Sequence, residues 1–352
     1  MVPASASLVE QISSAQQTLR RCRGIVRPAL MATIDRLPPS THQLALYACN
    51  GGASGATEEG SGGKGVRQAF AVLAGEAVGG RAESAIPAAV AAELIHNFSL
   101  IHDDIIDKDE WRRHRPAVWK AFGTGPAVLA GDALLALAVE VVSTSAGDRC
   151  PQALRLLCTA LSGLMRGQAQ DLQFEDRPWQ GPDAVVPEEY WLMVAGKTGA
   201  LFAGAAALGA LLAGGEPRMV EAFATAGQEF GMAFQTIDDA LGIWGDPRKT
   251  GKPVGSDLRR RKKTLPVLVT LARGDAPARR LASLLETETE FDEQNTAAAT
   301  ALIEEAGGRD LVMAEGQRAL GRAHQALADV PLLPRTWMEL TALSEYLVSR
   351  TS

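Results

Sequence analysis

The sequence predicts an all-α protein, and three observations carry that reading. Phe223, Phe230, Phe234, Asp238 and Leu241 lie seven, four, four and three residues apart, which is one helical stripe. No pattern of strands alternating with helices runs through the chain. Aromatic residues are 5% of a chain that is 46% hydrophobic and rich in Ala and Gly, a composition suited to closely packed helices. The 352 residues read as one unit, residues 1–352, with no internal repeat. Residues 1–60 hold N-terminal helices and a glycine-rich loop, residues 61–270 the core, and residues 271–352 the C-terminal helices.

Taken in order, residues 1–48 read as amphipathic helix with Arg20, Arg21 and Arg23 on a solvated face. Asn50 to Gly65 is a Gly, Ser and Thr loop ending in Gly62-Gly63-Lys64-Gly65-Val66-Arg67 before helical patterning resumes. Backbone N–H groups at such a helix start, with a Lys and an Arg beside them, suit an anion. A plain solvated basic loop fits the same residues. A helix follows over Ser84 to Asp107, with Pro87 in its first turn. Apolar helices are expected over Gly125 to Val142 and Arg155 to Asp171, then a polar loop at 173–188. Tyr190 to Leu212 is helical and carries a lone cation, Lys197, followed by Thr198. The aspartate-bearing stripe comes next, then a Gly-, Pro- and Lys-rich loop, Gly245 to Asp257. Beyond it, breaks fall near Gly274, Gly307 and Pro331, and the acidic run Glu286 to Glu293 reads as solvated.

Several function classes are disfavoured. A net charge of −6 argues against a nucleic-acid partner. The basic run Arg259 to Lys263 is short and lacks interleaved aromatics, so it reads as phosphate-facing and solvated. Cys22, Cys49, Cys150 and Cys158 have no metal-ligand spacing, which suits a reduced, cytoplasmic protein. The start lacks a charged segment followed by an apolar run, so no signal peptide is expected. The longest apolar run, Leu201 to Gly215, falls short of the roughly 20 residues a membrane span needs. No transmembrane segment is expected.

Two segments carry the chemistry. In Ala85 to Arg115 an apolar helix ends in Asp103, Asp104 and Asp107, followed by Arg112 and Arg113. A helix C-terminus favours cations, and Asp103 and Asp107, four apart, share a face and repel. A cation is expected between them. The second segment, Glu229 to Asp246, ends its apolar stripe at Asp238 and Asp239. Carboxylate oxygens suit Mg²⁺, which takes one or two of them together with waters and substrate phosphates. Lys64, Arg67, Arg112, Arg113, Lys197, Lys252 and Lys262 supply charges for phosphate oxygens. Metal carboxylates, basic groups and an apolar pocket together suit a diphosphate with a hydrocarbon tail, whose carbon–oxygen bond ionises as diphosphate leaves.

These motifs resemble those of the trans-type polyprenyl diphosphate synthases, the farnesyl and geranylgeranyl diphosphate synthase family. HNFSLIHDDIID with RRHRPAVW is similar to the first aspartate-rich motif and its arginine pair. FQTIDDALGIWGD with GKPVGSDL and KKTLP is similar to the second. GGKGVR, GQAQDL and GKTGALF match in the expected order, so the resemblance spans about Gly62 to Pro266 and is looser beyond. It implies a helical bundle of the isoprenoid synthase type with a central hydrocarbon cavity, and a homodimer. It implies that Asp103, Asp107 and Asp238 bridge Mg²⁺, three ions in all, with Asp104 and Asp239 supporting. Arg112, Lys197, Lys252 and Lys262 would hold an allylic prenyl diphosphate. Lys64, Arg67, His96 and Arg113 would hold isopentenyl diphosphate. Thr198 and Gln235 join Lys197 and Lys252 in the implied catalytic set, Gln235 near the second metal site.

The chain departs from the family pattern in places. Gly242 stands where the second motif has a third aspartate, and Asp246 substitutes only if the helix ends early. Gly65 and Gln68 replace an Arg and a Pro of the usual loop. Ser99 lies about 6 Å below Asp103 along the helix, and Ala92 continues that line. With Phe98 one position over, the resemblance implies the twenty-carbon product, with the fifteen-carbon product second. A terpene cyclase and a non-catalytic partner subunit are the alternatives. Retention of Lys64, Arg67 and His96 speaks against the first, and retention of the metal aspartates against the second. An HD-type phosphohydrolase around His102-Asp103 leaves the second aspartate pair unexplained, and an EF-hand lacks its glycine.

Overall fold

The computed structural model describes residues 8–49, 65–113, 115–246, 255–287 and 291–349. Ten helices are labelled in chain order, at Leu8–Ile34 (α1), Pro39–Cys49 (α2), Val66–Ala77 (α3), Ala82–Ile106 (α4), Val118–Phe122 (α5), Thr124–Ser145 (α6), Cys150–Glu175 (α7), Pro187–Val194 (α8), Ala200–Leu212 (α9) and Pro217–Trp244 (α10). Helices at Ser256–Arg259, Leu265–Leu271, Ala276–Leu285, Glu293–Glu305, Gly308–Ala328 and Pro334–Ser349 follow. The all-α expectation holds.

The bundle is built around α9. Its residues Leu201, Phe202 and Ala205 to Leu208 are buried, and it packs against α3, α4, α7 and α10. Phe70, Phe202, Phe230 and Phe234 from α3, α9 and α10 form one aromatic group, with ring centroids 4.6 Å apart for Phe70–Phe230 and 5.5 Å for Phe202–Phe234. The Gly308–Ala328 helix lies along α10, and the C-terminal helix packs on α1.

The expected N-terminal helices are two, parted because Pro38 and Pro39 disfavour helical geometry in the residues before them. Two expectations are corrected. Arg21 is not on a solvated face. It donates to both oxygens of Glu76 at 2.7 and 2.8 Å and to Glu339 at 2.8 Å, joining α1 to α3 and the C-terminal helix. The acidic run is not wholly solvated: Phe291 is buried, and Asp292 caps Glu293–Glu305 by accepting from Asn295 N at 2.8 Å. The breaks at Gly274 and Gly307 fall where expected, both at positive φ.

The segment read as one helix from Tyr190 is continuous over Pro187–Leu212 but contains a π turn, Ala195–Gly199. That 26-residue length changes the membrane reading. Ala82–Ile106, Thr124–Ser145 and Pro187–Leu212 are each long and apolar enough to cross a bilayer. The most apolar window is 61% buried in the first and 78% in the third, so those two helices serve the interior of the bundle. The four cysteines are free thiols. Burial pushes Cys22 and Cys49 up to about 12.

The π turn sits where α7 crosses. A Cβ on Gly167 would overlap the backbone N of Lys197 and stand 2.6 Å from the Gly196 carbonyl carbon. A Cβ on Gly196 would lie 2.7 Å from Gly163 O. The backbones therefore touch, and the added residue in the turn offsets Lys197 from regular helical register. Gly167→Ala is expected to lower stability by about 1–3 kcal/mol, since only backbone can yield. Thermal denaturation followed by circular dichroism checks this, and an unchanged melting temperature would contradict the close crossing.

Candidate active site

The first aspartate group closes α4. Its last helical residue is Ile106, and Asp107 is the C-cap. Burial is the main influence on Asp103, raising it to about 6. Lys197 and Arg112 pull it down, and Asp107 and Asp171 push it up. The cations expected near this end come from elsewhere in the chain. Lys262 Nζ lies 3.4 Å from Asp107 Oδ2. Lys197 Nζ donates to Asp171 Oδ2 at 2.5 Å. Burial works against the Lys197 charge, but Asp171, Asp103 and Asp107 outweigh it and raise its pKa above the ordinary lysine value.

Asp104 turns to a protein partner. It is buried, and its Oδ1 accepts from Arg112 Nε at 2.9 Å and also from Nη2. Its part is to anchor Arg112. That arginine stands on a small antiparallel hairpin, Trp111–Arg112 (β1) with Arg115–Pro116 (β2), which the sequence did not reveal. Arg113 turns the hairpin at φ +54, an uncommon conformation for a side chain this large. Its pKa lies below the usual arginine value, first from burial and then from Arg112.

A second basic group lies deeper. Arg67, at the start of α3, has its guanidinium 4.7 Å from the Phe202 ring centroid, and its Nε is buried with no hydrogen-bond partner. Burial lowers it to about 10, against the attraction of Glu93 and Asp238. Burial, then Arg67, Arg113 and Arg112, hold His96 well below its ordinary pKa, so it is neutral. Glu93 is the counter-charge here. Burial raises its pKa, while Arg67 and Arg113 oppose that. Sequence reasoning missed Glu93. Its signal was a lone carboxylate in an apolar helix ten residues, nearly three turns, before Asp103.

The second aspartate group is wired into the fold. Thr198 Oγ1 donates to Gln235 Oε1 at 2.8 Å, and Gln235 Nε2 donates to Asp239 Oδ1 at 2.9 Å. Asp239 Oδ2 accepts from Leu265 N at 2.9 Å and from the Tyr190 hydroxyl. Asp239 is thus engaged on both oxygens by protein donors. Burial dominates its raised pKa of about 7. Asp238, its neighbour, is only partly buried. α10 continues past residue 242 to Trp244, so the early helix end that would bring in Asp246 does not occur.

Phe98 packs edge-on against His102, with centroids 4.7 Å apart. His102 in turn abuts Gly131 of α6, where a Cβ would be 2.6 Å from its Cδ2. Ser99 donates to His96 O at 2.9 Å. Lys64 and Lys252 lie outside the described residues. Beyond Glu93, the site residues absent from the sequence-based set are Asp171, which holds Lys197, and Tyr190, which holds Asp239. Asp171 was visible in GQAQDL, whereas Tyr190 had no local signal.

Asp103, Asp107 and Asp238 fit a hard divalent cation. They are carboxylates, and the ionisation of Asp103 is held back by burial that a cation would relieve. Among the described residues no three or more acidic, His or Cys side chains are preassembled around one point.

The polyprenyl synthetase family model matches residues 56–303. The chain belongs to that family. It is 43% identical over 330 residues to the (2E,6E)-farnesyl diphosphate synthase of Mycobacterium tuberculosis, covering 93% of this chain and 90% of that one. It is 39% identical over 335 residues to the geranylgeranyl diphosphate synthase of the same organism, covering 94% and 93%. The crystal structure of polyprenyl synthetase from Streptomyces coelicolor A3(2) superposes with a TM-score of 0.87 at 43% identity, covering 95% of this chain and 99% of that one. The protein is a prenyltransferase of isoprenoid biosynthesis, a prenyl diphosphate synthase in the all-α isoprenoid synthase fold, within a family that depends on divalent metal.

The raised carboxylates set a pH dependence. A carboxyl whose folded pKa exceeds its unfolded value of about 4 stabilises the fold while protonated. That contribution is complete below about pH 4 and is lost as pH rises through about 6 for Asp103 and about 7 for Asp239. The metal-free enzyme is expected to lose stability across this window, and Asp103→Asn to flatten the loss. Thermal melts at stepped pH check it.

Proposed function

We propose that the enzyme condenses isopentenyl diphosphate with an allylic prenyl diphosphate to give geranylgeranyl diphosphate, with three Mg²⁺ ions, as a cytoplasmic homodimer. The observation that supports this best is the presence of two separate cationic groups. Lys197, Lys262 and Arg112 surround the carboxylates at the end of α4. Arg67 and Arg113 act on Glu93, and both also act on the neutral His96. A condensing enzyme handles two diphosphates. A cyclase handles one and has no use for the second group.

Lys197, Lys262 and Arg112 hold the allylic diphosphate and oppose its negative charge as the carbon–oxygen bond breaks, the bonding electrons leaving with oxygen. Mg²⁺ bound to Asp103, Asp107 and Asp238 would neutralise the same oxygens. Arg67, unpaired at Nε, and Arg113 hold isopentenyl diphosphate, and neutral His96 offers a hydrogen bond. The isopentenyl double bond attacks the allylic cation, and a proton then leaves to released diphosphate. Thr198 and Gln235 are fixed by the chain of hydrogen bonds to Asp239.

Small Ser99 and Ala92 below Asp103 support the twenty-carbon product. The farnesyl-forming relative favours fifteen carbons as the second reading. Exposed apolar side chains on α6, with Leu129 61% exposed beside Val128 and Val139, support a homodimer through that face. Free thiols support a reducing compartment.

The test is incubation with Mg²⁺, isopentenyl diphosphate and each allylic diphosphate, with products read by mass spectrometry before and after phosphatase treatment. A linear C20 diphosphate is expected. A C15 limit selects the farnesyl reading, and a hydrocarbon formed without isopentenyl diphosphate selects the cyclase. Asp103→Ala should lower turnover by roughly 100-fold, the scale of losing one preorganised electrostatic group.

A further inference from the structure

The hairpin that carries Arg112 and Arg113 is anchored unevenly. Arg112 is fixed twice, by its ladder position opposite Arg115 and by Asp104 Oδ1, which accepts from its Nε at 2.9 Å and from its Nη2. Arg113 stands at the turn, with φ +54. Among the described residues its guanidinium makes no hydrogen bond or ion pair. Burial and the neighbouring Arg112 both work against its charge. The place of Arg113 is therefore set by the backbone of the hairpin.

That backbone is held by one side chain of α2. The Tyr47 hydroxyl donates to Pro116 O at 2.8 Å. The Arg115 guanidinium lies 3.8 Å from the centroid of the same ring, and the ring meets Phe122 of α5 edge-on at 5.0 Å. A hydrogen bond and a cation over the ring thus fix β2 from two directions. Other bonds close the base of the hairpin on itself: Ala117 N donates to Glu110 O at 2.8 Å, and Trp119 Nε1 to Asp109 O at 2.8 Å. A cavity of about 40 Å³ lies beside the hairpin, lined by Tyr47, Asn97, Asp104, Arg112, Arg113 and Arg115 among others. The hairpin has room to shift once the ring is removed.

We propose that Tyr47 is a positioning residue for the second substrate. It sets the place of Arg113 and, through it, the affinity for isopentenyl diphosphate. Arg112 and the allylic diphosphate are held independently, through Asp104. The inference rests on the synthase reading above and extends it to α2, a helix that supplies no metal or phosphate ligand of its own.

The experiment measures KM for each diphosphate with the full-length enzyme, and isopentenyl diphosphate binding by calorimetry in the absence of turnover, with melting temperatures alongside. Tyr47→Ala is expected to raise the isopentenyl KM and weaken that binding about 10-fold, within the loss a misplaced binding group brings, with the allylic KM held to within about twofold. Tyr47→Phe loses the hydroxyl and Arg115→Met loses the cation. Each is expected to raise the isopentenyl KM about 3-fold without changing the melting temperature, and carries the test if Tyr47→Ala does not fold. Arg115→Lys keeps a cation over the ring and is expected to match wild type. Equal changes in both KM values would overturn the proposal and leave the synthase reading intact. Wild-type isopentenyl diphosphate affinity in both Tyr47→Phe and Arg115→Met would do the same. Isopentenyl diphosphate binding without product in the wild type would remove the synthase reading, and the affinities of the variants would still decide the role of Tyr47. No binding by the wild type would remove both readings together.

Discussion

Like-charge repulsion at the end of α4 is the constraint on which the site depends. Asp103 and Asp107 share a face at the helix end least suited to them, and burial makes the ionised form of Asp103 costlier still. No cation within α4 relieves this. Lys197 comes from the π turn, Lys262 from the turn after Ser256–Arg259, and Arg112 from the hairpin. Each arrives by a backbone device: a five-residue π turn, the tight turn with Arg261 at φ +50, and a two-residue ladder. The bundle is thus a scaffold that brings three distant charges to one helix end, and substrate phosphate with metal would complete the neutralisation.

The close crossing of α7 on the π turn shows how packing sets chemistry. Contact at Gly163, Gly167 and Gly196 leaves no room for side chains, so backbone meets backbone. That approach carries Asp171 on α7 to within 2.5 Å of Lys197 Nζ. Without it the lysine would be a buried charge with its counter-ions farther away, and burial would lower its pKa. Three small residues thus keep Lys197 charged in a part-buried place where phosphate can replace water around it.

What the sequence made legible is what is local. The helical stripes, the aspartate pairs and the breaks at Gly274 and Gly307 each follow from residues within a few turns of one another. The roles of Asp104 and Asp239 did not follow in detail, because an aspartate pair looks alike whether its second member faces solvent, Arg112 or Tyr190. Glu93, Tyr190 and Arg21 depend on partners 20 or more residues away, and the π turn changes hydrogen bonding without changing residue pattern. The apolar run counted from Leu201 understates Pro187–Leu212, since the expected helix through Lys197 is long and apolar enough to cross a bilayer while 78% of its most apolar window is buried in the bundle.

The two aspartate sites also differ in how they are held. The first is written in one unbroken helix end, whereas the second relies on the segment from Gly255 to Leu265. That short segment touches both. Asp257 rests against Gly242, Leu265 N binds Asp239, Lys262 reaches Asp107, and Arg260 Nη1 donates to Asp109 Oδ2 at 3.2 Å. A displacement of this segment would remove a cation from the first aspartate group and a backbone donor from the second at once. The turn that delivers Lys262 to Asp107 therefore also fixes Asp239 through Leu265 N. The anchoring of the second aspartate group and the cation supply of the first are then linked through a single piece of backbone.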